Sequence, residues 1–153
     1  MHELSVVIAS EIDSALILKA HAGACRVRGR GGWWLIPAQA LLPTEALDVP
    51  DLEDPAAAAK LPEALASLLE SLATLPLHAP IALAFTRYFG GTGAQAAAVL
   101  DRGKLLLAPV VGSNAINEAL ALAGVQSLGG QDLFDSVGLS QWRSMDTLMK
   151  DAG

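Results

Sequence analysis

Apolar positions along this chain fall into short, sharply bounded runs. Residues 3–10, ELSVVIAS, are β-branched and apolar and predict a first strand. The next stretch, SALILKAH, predicts a short helix capped by Asp13 or Ser14 and ended at Gly23, with a second strand as the competing reading. In ACRVRGRGGWWLIPA, Arg26, Arg28 and Arg30 alternate with Cys25, Val27 and Gly29, which is strand periodicity. RGG then supplies a turn from which WWLI returns as the second strand of a hairpin, with Pro37 and Pro43 marking its exit.

Residues 43–55, PTEALDVPDLEDP, hold three prolines and five acids (Glu45, Asp48, Asp51, Glu53 and Asp54) and predict a loop, too short to separate two domains. The strongest helical pattern follows. Leu61, Leu65, Leu68, Leu72 and Leu75 recur at spacings of four and three, Leu69 widens the stripe, and Pro62 falls in the first turn. IALAFTRYF is strand-like. AQAAAVL is bounded by glycines on one side and the tight-turn sequence DRG on the other, which leaves too little length for an isolated helix. The reading is therefore a three-stranded meander ending in KLLLAPVV. Ser113 or Asn114 caps a helix over NAINEALALAG that Gly124 terminates, and two short helices follow in DLFDSVGL and SQWRSMDTLMKD. The sum is an α+β fold, a mainly antiparallel sheet with helices packed on one face, in a single globular domain over residues 1–153.

Composition changes this picture in one direction. The chain is 52% hydrophobic and 17% charged, which suffices for one core, and ten Lys and Arg face sixteen Asp and Glu for a net charge of −6. An acidic chain lacks the concentrated basic surface that nucleic acid or an anionic membrane requires, so neither is expected as a partner; a protein with a basic surface is. No run is long enough to cross a bilayer and the first residues carry acids where a leader would carry bases, so a soluble, cytoplasmic protein is expected. With Cys25 the single cysteine and His2, His21 and His78 scattered, neither a metal nor a cofactor is expected.

Two stretches carry candidate chemistry. In RYFGGTGAQ, Arg87 and Tyr88 flank the amides of Gly90, Gly91 and Gly93, with Gln95 just beyond, and can hold a small anion or metabolite. The Lys-Ser/Thr pair of a phosphate loop is missing and so is the last glycine of a dinucleotide fingerprint, which favours a bend between antiparallel strands. The second stretch is the hairpin. Arg26, Arg28, Arg30, Trp33 and Trp34 combine the residue types that dominate protein interfaces, against the plainer reading of a charged edge strand. The pair Asp132 and Asp135 shares a helix face, where Asp132 serves equally well as an N-terminal acid.

From Tyr88 onward, YFGGTGAQ, INEALALAGV and DLFDSVGL with QWR resemble a group of uncharacterised bacterial proteins that carry YFGGxGxQ, INxALxxLGV and DEFDxxGL in that order. The resemblance implies no established activity and so no catalytic residues. DLFD stands where the group shows a further acid, which argues against a shared carboxylate cluster. Together these readings favour a non-catalytic protein-interaction module of inhibitor or immunity type. The alternative is a small-anion or metabolite binder, or an enzyme, built on residues 87–95.

Overall fold

The structure is a computed structural model that describes residues 2–38, 41, 61–89 and 92–152. Strand β1 (His2–Ser10) leads directly into helix α1 (Glu11–Ala20). The hairpin β2 (Val27–Arg28) and β3 (Trp33–Pro37) comes next, followed by α2 (Leu61–Ala73). The meander β4 (Ile81–Phe89), β5 (Thr92–Asp101) and β6 (Lys104–Gly112) is succeeded by α3 (Ala115–Leu122), α4 (Leu133–Ser136), a 3-10 turn (Leu139–Gln141) and α5 (Met145–Ala152). The six strands form one antiparallel sheet in the order β2-β3-β1-β4-β5-β6. The expected α+β class, hairpin and meander are all present, and AQAAAVL is a strand.

The helices cover both faces of the sheet rather than one. Val7, Ala9, Ile36, Leu83, Phe85, Ala96 and Ala98 pack with Ile17 of α1 and Leu68, Leu69 and Leu72 of α2. Leu4, Val6, Ile8, Leu35, Ala82, Ala84, Ala97 and Val99 pack with Ile116 and Leu120 of α3, with Val137, Leu139 and Trp142 between α4 and α5, and with Leu148 of α5. The cause lies in the strands. Val6, Val7, Ile8 and Ala9 are all fully buried, so successive side chains on both sides of β1 need apolar cover. The alanines of β4 and β5 keep the sheet surface low on either side, where α2 and α3 sit.

Two local signals act differently from the sequence reading. α1 starts before SALILKAH because Ser10, extended at φ −65 and ψ 168, accepts a hydrogen bond from the Asp13 amide at 3.2 Å and is the cap. This leaves the Asp13 carboxylate free for a distant partner. Asn114 occupies the cap position of α3 but makes no side-chain cap bond. At the other end of α3, Gly124 is at φ 93. There the Val125 amide bonds to Leu120 O at 3.0 Å and the Gly124 amide to Ala121 O at 3.2 Å, the paired ending expected of a glycine terminator. Pro62 lies in the first turn of α2, as its missing amide allows. The acidic loop 43–55 and the alanines 56–59 lie outside the described residues.

Candidate functional site

The two candidate stretches sit far apart on the sheet, the hairpin at one edge and the glycine bend at the end of the central β4–β5 pair. Around the bend, Arg87 pairs with Ala94 and Glu3, Tyr88 with Gly93 and His2, and Phe89 with Thr92. β4 and β5 thus pair antiparallel as far as Phe89 and Thr92. Gly90 and Gly91 lie outside the described residues, and at Arg87, Tyr88 and Gly93 it is the backbone pairing that the structure describes.

Gln95 has a defined role. Its Oε1 accepts a hydrogen bond from the Ile116 amide at 3.1 Å. A side chain from β5 therefore satisfies an orphan donor at the start of α3, the job left undone by Asn114. Asn114 Oδ1 instead accepts from Asn117 Nδ2 at 3.4 Å, and Asn117 Oδ1 accepts from the Phe134 amide at 2.9 Å, joining α3 to α4. Replacing Gln95 with leucine keeps the bulk and removes the acceptor. It is expected to lower stability by about 1 kcal/mol, the usual cost of a lost helix cap, read as a lower urea midpoint at unchanged slope.

At the hairpin the three arginines part company. β2 contains only Val27 and Arg28, so the period-two row does not extend over all three. Arg26 turns back onto α1, where its Nη1 donates to Glu11 O at 3.0 Å and Ser14 Oγ at 2.8 Å. Its guanidinium lies 4.0 Å from the centroid of the Trp34 ring. Arg28 is exposed and directly opposite Trp34 in the strand pairing. Arg30 belongs to the turn and its Nη1 donates to Gln131 Oε1 at 3.2 Å. Trp33 packs with Cys25 against the cluster beneath α3 and α5, whereas Trp34 lies on the α1 side. What remains as a joint surface is Arg26 over the ring of a half-buried Trp34, tied by its own hydrogen bonds to the first turn of α1, with the exposed Arg28 opposite Trp34 in the strand pairing.

The acids and histidines do structural work. Asp13 is fully buried and its Oδ1 accepts from the His78 amide at 2.8 Å while Oδ2 accepts from the Ala79 amide at 3.0 Å. His78 Nδ1 approaches Oδ1 at 3.2 Å, with its side chain 64% exposed. Nothing in the sequence links positions 65 residues apart, so this latch is invisible there. Ser14 Oγ donates to Glu11 O and accepts from Arg26 Nη1. Asp132 Oδ1 accepts from the Asp135 amide at 2.9 Å and caps α4, in line with an N-terminal acid. Asp101 binds Arg102 Nε at 2.8 Å across a turn whose two residues have φ 47 and φ 87, and this hydrogen bond raises the Arg102 guanidinium above its ordinary range. Among the described residues no group of three or more His, Cys, Asp and Glu can hold a metal ion, and no helix is long and apolar enough to cross a membrane.

No family model, no curated protein and no solved structure matches the chain.

Proposed function

We propose that the chain is a non-catalytic protein-interaction module, of the kind that inhibits or neutralises a partner by binding it, and that it docks through the β2–β3 hairpin. The observation that carries this reading is the Arg26–Trp34–Arg28 surface. It is an aromatic ring under the Arg26 guanidinium, which α1 holds through two hydrogen bonds, with a second, exposed arginine directly opposite the ring in the strand pairing. Large rigid side chains of this type give contact area at small entropic cost and concentrate binding energy. The net charge of −6 steers a basic protein toward the chain at long range, and the close contact asks that protein for a carboxylate or carbonyl opposite Arg28. The competing reading is a small-anion site at residues 87–95, where Gln95 turns its Oε1 to the Ile116 amide and has only its Nε2 left to donate to an anion.

The test is cross-linked capture from a lysate of the source cells by immobilised wild-type protein and by Arg28→Glu. Arg28 is exposed and outside the core, so the variant keeps the fold, checked by circular dichroism. One stoichiometric partner retained by wild type and reduced at least tenfold by the charge reversal is expected. Equal retention by both proteins, or none by either, counts against the reading.

A further inference from the structure

We propose that β6 is the seam of a homodimer, in which a second copy of this chain pairs antiparallel with it about a two-fold axis through Ala108. The inference is independent of the hairpin reading, since β2 and β6 are the opposite edges of the sheet. β2 is two residues long, whereas β6 runs for nine residues with no strand of the described residues on its outer side. Three large apolar side chains stand in solvent there: Leu105 at 56%, Leu106 at 46% and Val111 at 44% exposure. A long edge of this composition is a template for another strand.

The choice of a second copy as occupant rests on register and charge. Leu105 pairs with Leu100 and Val111 with Ala96, and both of those residues belong to the cluster under α1 and α2, so Leu105 and Val111 share one face of the sheet. They are also equidistant from Ala108. A two-fold axis at Ala108 therefore sets Leu105 of each copy beside Val111 of the other, where cross-strand apolar pairs stabilise a sheet. Lys104 is the single charged residue of β6, and the same axis places it opposite Gly112, so no cation meets a cation. Pro109 fits an edge and a strand irregularity. The pairing with β5 shifts register twice, between Val99 and Leu100 and between Ala97 and Val99; the latter lies opposite that proline and accommodates its missing amide.

A strand pair alone falls short of the ~800 Å² per partner of a stable interface. α2 and α3 border β6 on the two faces, so the same axis brings each beside its counterpart, and Leu122 of α3 adds a further 44%-exposed apolar side chain. Because the opposite edge is only two residues long, the pairing closes at two copies and does not propagate into a filament. The two hairpins then lie at the far ends of one continuous sheet, a bivalent arrangement that raises avidity for a multivalent partner.

The experiment is light scattering coupled to gel filtration over a concentration series, on wild type, Leu105→Glu and Val111→Glu. Both positions are exposed, so neither substitution disturbs the core, and circular dichroism confirms this. Wild type is expected at twice the 15.8 kDa chain mass and both variants at the monomer mass. In a Cys25→Ser background, Ala108→Cys is expected to form a disulfide-linked dimer on mild oxidation, because paired antiparallel positions lie within disulfide reach. A wild-type monomer at every concentration, or a dimer that survives both glutamates, overturns the seam. A dimer lost in both glutamate variants that fails to cross-link at position 108 overturns the Ala108 axis.

Discussion

Asp13→Ala is expected to remove about 3 kcal/mol of folding stability, on the scale of about one to three for each partly buried donor left without its acceptor. Two backbone amides, His78 and Ala79, lose their acceptor together, and the carboxylate that held them is fully buried. The imidazole contact adds little to this loss, since the His78 side chain is 64% exposed and water screens the pair. A loss of that size is a large part of the 5–15 kcal/mol or so that stabilises an ordinary domain. Urea unfolding followed by circular dichroism measures it. Asp13→Asn, which keeps one oxygen, should fall between wild type and Asp13→Ala. A loss under about 1 kcal/mol for Asp13→Ala, no more than an average surface hydrogen bond, means that the latch does not tie α1 to the start of β4.

Gly29→Ala is the second large effect, expected at about 2–3 kcal/mol by the cost of forcing extra atoms into a packed site. A Cβ at Gly29 would overlap the Val137 carbonyl oxygen and sit 3.0 Å from Trp33 O. Both neighbours are backbone, so neither can swing aside. The same carbonyl, Val137 O, accepts from the Arg30 amide at 3.0 Å, and the Gly29 amide donates to Trp33 O at 2.9 Å. The added methyl therefore pries the hairpin turn away from the end of α4. Thermal unfolding measures the stability loss. Gly32→Ala is the comparison: open space surrounds Gly32 and only its φ of 83 opposes a side chain, so its loss should be nearer 1 kcal/mol. Equal effects at the two glycines would mean that backbone angle rather than crowding decides.

The elements of this fold were legible where local chemistry is unambiguous. Turn residues mark the hairpin and the meander, and the leucine spacing marks α2. The layer arrangement was legible too, in a signal that points against one-sided cover. SVVIA and IALAF do not alternate apolar with polar, which is the pattern of strands buried on both faces. Long-range side-chain roles were not. Gln95 caps a helix 21 positions on, and Asp13 holds amides 65 and 66 positions on. Such pairings depend on which elements the sheet brings together, and periodicity carries no record of that. The candidate interface shows the same limit. Period two in RVRGR suggests three arginines in a row, but the turn begins after Arg28 and sends Arg26 and Arg30 to separate partners.

Hydrogen exchange on the chain alone and in complex with its captured partner tests the docking proposal most directly, because the two candidate surfaces occupy different strands. Docking through the hairpin predicts slowed exchange for amides between Val27 and Leu35, with those between Thr92 and Leu100 unchanged. Protection confined to residues 87–95, with the hairpin exchanging as in the free chain, would contradict it.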